Sequence, residues 1–195
     1  MPHLDAADCV MVVIDAQPGF YDASRVDVDR GLFVSALERS AWVTGVAAAL
    51  GVPIVFTEED AATNGPTAGP IRAAAPVDSP VLVKQVFGAD ANPDIDAAVR
   101  RHGRPAVVLV GLETDVCVAH SAIGWSEHGM RTVVVHDAVY SAGGGHANGL
   151  ARLRSEGVEL LSAKELYYEW LRDLPSVRAF DAAHPHLATP PGFSL

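Results

Sequence analysis

Six short runs of apolar, mostly β-branched residues punctuate this chain, and none of them alternates with polar residues. They lie at 10–14, 53–57, 81–84, 106–110, 132–136 and 158–161. A strand with one wet face alternates, whereas a strand covered on both faces reads as a continuous apolar run. Stretches of helical period separate the runs and predict helices over 31–50, 94–102, 116–129, 148–156 and 163–172. Strands alternating with helices, each strand needing cover on both sides, predict an α/β class protein. The architecture is a three-layer α/β/α, doubly wound sheet of six mainly parallel strands. The Ala-, Gly- and Pro-rich stretch from Glu58 to Pro80 reads as a long functional loop between the second and third strands.

The 195 residues suit one domain spanning 1–195, with a core over about 8–171 and a tail over 175–195 that wraps the surface or meets a neighbouring subunit. With 49% hydrophobic residues and two cysteines, the composition excludes disorder and a disulfide scaffold. No apolar run reaches the roughly 20 residues needed to span a bilayer. The start, Met1-Pro2-His3-Leu4-Asp5, lacks a signal-peptide pattern, so a cytoplasmic setting with Cys9 and Cys117 as free thiols is expected. An excess of 24 acidic over 14 basic residues argues against nucleic acid or an anionic membrane as partner. A small-molecule substrate is expected instead. The apolar surplus in 166–171 points to a subunit interface, hence a homo-oligomer, a dimer or higher.

In doubly wound sheets ligands bind beyond the carboxyl ends of the strands. Asp15 follows the first strand, Lys84 ends the third, and Gly111-Leu112-Glu113-Thr114-Asp115-Val116-Cys117 follows the fourth. Each residue has an ordinary alternative: Asp15 as a turn cap, Lys84 as a solvated charge, Cys117 as a small buried apolar group. Their convergence on one edge favours chemistry. Thr114 or Asp115 is expected to cap the next helix and put Cys117 in its first turn. There the helix terminus and Lys84 would favour a thiolate, while Asp15 could take the thiol proton. Cys9, at the opposite edge, reads as packing.

Competing chemistries lack their residues. Asp15-Ala16-Gln17-Pro18-Gly19 is no Gly-x-Gly-x-x-Gly turn, and there is no Walker-type loop. Gly143-Gly144-Gly145 reads as a flexible loop or an anion cradle. His128, His136 and His146 lack ligand spacing, and His184 and His186 sit in the tail, so no metal and no cofactor are expected. The acidic run Glu58-Glu59-Asp60 is either a solvated face or an aid in recognising a cationic or polar substrate.

The motifs Val12-Val13-Ile14-Asp15-Ala16-Gln17-Pro18-Gly19-Phe20, Lys84 with Phe87-Gly88-Ala89, and Gly111 to Ala122 occur in an informative order. Through them the chain resembles the isochorismatase-like cysteine hydrolase superfamily, which includes nicotinamidases and N-carbamoylsarcosine amidases. The resemblance implies a Rossmann-like fold and a catalytic triad of Asp15, Lys84 and Cys117. It also implies a non-proline cis peptide at Leu112–Glu113, beside an oxyanion hole at Leu112, Glu113 and Cys117. Nicotinamidases carry metal-binding histidines after the second strand; Thr57 to Pro66 has none, which argues against nicotinamide. The cysteine favours amide, carbamoyl or ureido C–N cleavage through a thioester over the enol-ether hydrolysis of isochorismatases. Gln17, Phe20 and Phe87 are candidate substrate-binding residues, although both phenylalanines also suit plain packing. Two alternatives stay open: an ether or ester hydrolase, and a non-catalytic binding domain of the same fold.

Overall fold

The computed structural model describes residues 3–195. Six strands form one sheet: β1 (Cys9–Ile14), β2 (Ile54–Glu59), β3 (Val81–Lys84), β4 (Ala106–Leu112), β5 (Arg131–Tyr140) and β6 (Glu159–Leu161). Their spatial order is β3-β2-β1-β4-β5-β6, and every neighbouring pair is parallel. The helices are α1 (Arg30–Ala49), α2 (Ala61–Asn64), α3 (Gly69–Ala74), α4 (Pro93–Arg100), α5 (Ala119–Glu127), α6 (Gly145–Ser155), α7 (Ala163–Leu171) and α8 (Leu174–Ala183). No described helix is long and apolar enough to cross a membrane.

The two-residue period of a strand sends β1 side chains to opposite faces. Met11 and Val13 join Val43, Val46 and Ala47 of α1 and Leu166 and Trp170 of α7. Val10, Val12 and Ile14 join Ile95 and Val99 of α4, Ala122 and Trp125 of α5 and Leu153 of α6. Each such aliphatic side chain, fully removed from water, contributes ~1.5–3 kcal/mol. The continuous apolar runs are thus explained by cover on both faces.

The structure corrects one local expectation and alters the grounds of two others. The stretch 58–80 is not one loop: β2 continues to Glu59, and α2 and α3 follow, with Ile71 of α3 buried in the α1-side core. The tail contains a helix, α8, whose N-terminus is capped by Asp173 Oδ1 accepting from the Ser176 N–H at 2.7 Å. That helix also removes the reason for placing a subunit interface at 166–171. Leu166, Tyr167, Trp170 and Leu171 are buried within the chain. Phe180 of α8 meets the Tyr167 ring edge-on, and the Tyr167 hydroxyl donates to Asp181 at 2.8 Å. Beyond α8 the chain returns to α1, where the Trp42 indole N–H donates to Leu187 O at 2.7 Å.

Candidate active site

Strand order reverses direction on either side of β1 and β4, and the crevice beyond their carboxyl ends is where such a sheet opens to a ligand. Gly111 lets the two strands approach there: its φ is +118°, and a Cβ would lie 1.9 Å from Ile14 O. Asp15 leaves β1 in the left-handed region at φ 41°, a conformation Asp tolerates better than most residues. Thr57 of β2 holds it there. The Asp15 N–H donates to Thr57 O at 3.1 Å, and the Thr57 hydroxyl donates to Asp15 Oδ1 at 2.7 Å.

Lys84 is the hub. Its Nζ lies 2.6 Å from Asp15 Oδ2 as an ion pair off the hydrogen-bond axis, with both side chains fully buried. The ammonium also donates to Val86 O at 3.0 Å, to Glu59 Oε2 at 3.3 Å and to Cys117 Sγ at 3.4 Å. The thiol in turn donates to Glu59 Oε2 at 3.0 Å. Asp15, Glu59 and Cys117 bring donor atoms within 4.8 Å of one another, a set of metal-ligating type, yet the lysine ammonium already contacts all three.

The thiol sits on a π-helical turn, Thr114–Val118, that leads into α5. The expected side-chain cap is absent: Glu113 is the N-cap and makes no capping bond. Thr114 and Asp115 tie the turn to its neighbours instead. Thr114 Oγ1 hydrogen-bonds His146 Nδ1 at 2.9 Å, and the Ser141 hydroxyl donates to Asp115 Oδ1 at 2.7 Å. The Leu112–Glu113 peptide is cis, as the resemblance implies. Glu113 Oε1 accepts from the Tyr21 hydroxyl at 2.7 Å.

Burial raises the Asp15 pKa above the usual carboxylate range, against the pull of Lys84. Burial works against the Lys84 ammonium, but Asp15, Cys117 and Glu59 together hold its pKa above the ordinary value. Burial, then the charges of Asp15 and Glu59, push the Cys117 thiol up, and Lys84 only partly opposes them. These effects favour the protonated thiol, in line with its hydrogen bond to Glu59 Oε2. The sequence reading, in which Lys84 and the helix terminus favour a thiolate, did not count the second carboxylate or the depth of burial.

Asp15, Lys84 and Cys117 thus meet in one cluster. Gln17 stands behind it, fully buried: its Oε1 accepts from the Glu59 N–H at 2.7 Å, and its Nε2 donates to Glu59 O at 3.1 Å and Gly65 O at 2.6 Å. Phe20 packs against the cluster of Tyr21, Phe33, Leu112 and Tyr140. Phe87 is 55% exposed, edge-on to the His120 ring. Thr57 escaped the sequence reading, and Glu59 entered it only as one of the acidic run 58–60, not as a neighbour of the thiol. The signal for Glu59 was its place: it ends β2 directly opposite Lys84 in the β2–β3 register.

The isochorismatase domain model matches residues 9–165. The chain is 26% identical over 195 residues to the probable hydrolase YcaC of Escherichia coli, covering 93% of this chain and 88% of that protein. The crystal structure of Escherichia coli YcaC, described as an octameric hydrolase of unknown specificity, superposes with TM-score 0.81 at 22% identity, covering 96% of this chain and 93% of that one. YcaC from Pseudomonas aeruginosa, solved with hexane-2,5-diol and covalent acrylamide, gives TM-score 0.82 at 24% identity over 95% and 94% of the two chains. N-carbamoylsarcosine amidase from Thermoplasma acidophilum gives 0.66 at 19% identity over 81% and 98%.

Proposed function

Since the chain belongs to the isochorismatase domain family, a family of hydrolases, we propose that it is a cysteine hydrolase cleaving the C–N bond of a small amide, carbamoyl or ureido compound. One observation carries the reading: a buried lysine ammonium lies within 2.6 Å of a carboxylate oxygen and 3.4 Å of a thiol sulfur. The likeness to N-carbamoylsarcosine amidase supports amide-type chemistry, and the covalent acrylamide of Pseudomonas aeruginosa YcaC supports a fold suited to covalent chemistry.

Catalysis starts from the neutral thiol. Asp15 takes the Cys117 proton as Sγ attacks the substrate carbonyl, and its raised pKa suits it to hold that proton. Lys84 compensates the negative charge passing from carboxylate to sulfur. The backbone N–H groups of Glu113 and Cys117 receive the oxyanion, each worth ~2.7–4 kcal/mol in the transition state. Collapse breaks the C–N bond, and Asp15 returns its proton to the leaving nitrogen. A thioester on Cys117 remains. Water, deprotonated by Asp15, attacks it and releases the acid and the thiol. Phe20 and Phe87 are the apolar contacts of the bound substrate, while Gln17 acts by holding the Glu59 backbone.

The working unit is a homo-oligomer in this reading, supported by the octameric Escherichia coli YcaC. The test is ammonia or amine release from a panel of small primary amides and carbamoyl compounds. Release by the wild type and its loss in Asp15→Asn supports the proposal. Release of acid from esters or ethers with no amine from any amide overturns it.

A further inference from the structure

Of the three successive acids at the end of β2 and just beyond it, only one reaches the reactive sulfur. Glu58 is buried and its Oε1 accepts from the Thr67 N–H at 2.7 Å and the Thr67 hydroxyl at 2.9 Å. Asp60 turns the chain at φ 40° into α2. Glu59 Oε2 alone contacts both the thiol and the lysine. Its backbone is clamped from both sides by the Gln17 amide, and Asn64 Nδ2 also donates to Glu59 O at 2.9 Å. The carboxylate is thus aimed from a fixed point of the sheet edge.

Glu59 also differs from its neighbours in exposure. Its side chain is 22% exposed, whereas those of Asp15 and Lys84 are fully buried. Of the three charged groups in the cluster, Glu59 is thus the one open to solvent. The charge count adds a second constraint. Asp15 and Glu59 face one cation, Lys84, so the cluster carries a net negative charge with the thiol protonated, and one more when sulfur ionises. A positive group on the substrate restores the balance that ionisation upsets, and a negative group worsens it.

We propose that Glu59 is a specificity-determining residue, its carboxylate receiving a cationic nitrogen carried next to the scissile carbonyl and disfavouring substrates with an anion there. This rests on the reading of Cys117 as nucleophile, and deepens it from amides in general to cationic amides. The direction in which burial and the two carboxylates push the thiol agrees with it: sulfur ionises more readily once a cation is seated beside Glu59.

The test uses two thiol reagents of similar size and the same leaving group, 2-aminoethyl methanethiosulfonate and 2-sulfonatoethyl methanethiosulfonate. Their labelling rates at Cys117 are read by peptide mass spectrometry and normalised to rates with a neutral small thiol. The wild type is expected to prefer the cationic reagent by at least ~10-fold after normalisation, because the cluster around the sulfur holds two carboxylates against one cation. Glu59→Gln, near-isosteric and with its backbone clamp intact, is expected to fall within about threefold of the reference, and Glu59→Asp to keep most of the preference. An undiminished preference in Glu59→Gln overturns the proposal. So does a wild type with no preference, whatever the variants do. A thioester formed on Cys117 by a protein without charge preference sinks this inference and leaves the cysteine mechanism standing. A charge preference without any thioester does the reverse.

Discussion

Cys9 and Cys117 lie at opposite ends of the same sheet, and both are buried. Cys9 opens β1, fully enclosed, with its thiol donating to Asp5 O at 3.1 Å, and burial pushes its pKa up to about 11. Cys117 follows β4, and burial with two nearby carboxylates pushes its pKa up as well. The direction of the pKa shift therefore does not separate the two thiols. Company does. Cys117 lies against the Glu59 carboxylate and the Lys84 ammonium, with Asp15 paired to that ammonium, which are the groups the proposed mechanism uses; the Cys9 thiol meets a backbone carbonyl.

Removing each thiol in turn gives the largest expected contrast. Cys117→Ala is expected to lower kcat by ~10⁴-fold or more, the scale of losing a covalent nucleophile. Cys9→Ala is expected to stay within about twofold, since it touches no reacting group. Steady-state amine release on a turned-over amide reads both. Equal losses would erase the comparison.

The second contrast concerns what each edge of the sheet holds together. Lys84→Met leaves Asp15 buried without its ion-pair partner, and breaking such a pair costs ~3–5 kcal/mol. Urea unfolding at neutral pH measures this, and a loss below about 1 kcal/mol would mean that the site is wetter than its burial implies.

Much of this arrangement is legible in sequence because it depends on strand ends. Asp15, Lys84 and the Gly111 to Cys117 turn each follow an apolar run, and parallel strands deliver their carboxyl ends to one edge. Glu59 was not legible by the same rule, because the apolar run stops at Thr57 while the β2 ladder continues through two glutamates. Those residues pair through their backbones with β3, which hydropathy does not report. The short helices α2 and α3 hide in an Ala-, Gly- and Pro-rich stretch, where propensity is poor and packing on α1 supplies the order. The missed α8 had a further consequence: with its cover unseen, the aromatic face of α7 read as an interface.

Alkaline titration probes the Cys9 side of the comparison. Its thiol keeps a proton in the folded protein that the unfolded chain loses, so its contribution to stability is complete below about pH 9 and lost as pH rises. The interval from 9.0 to about 11 corresponds to roughly 3 kcal/mol at about 1.4 kcal/mol per pH unit. The fall in unfolding free energy over that range is expected to be shallower in Cys9→Ala by about that amount. Parallel curves would show that Cys9 is not held protonated by the fold.

A smaller effect separates the thiols under native conditions. Iodoacetamide is expected to modify Cys117 at least ~10-fold faster than Cys9, because only Cys117 has a proton acceptor beside it. Its rate is expected to climb through pH 6–9 without a plateau, as a neutral resting thiol requires. A plateau beginning below pH 7 would mean that the thiol is already ionised at rest.

The most direct test is acid quenching during turnover of an amide, followed by peptide mass mapping of both cysteines. The account predicts a mass increase equal to the acyl group on the Cys117 peptide and none on the Cys9 peptide, the adduct disappearing as substrate is consumed. Sustained amine release with Cys117 unmodified at every quench time, and retained by Cys117→Ala, would contradict it and assign the reaction to direct attack by water.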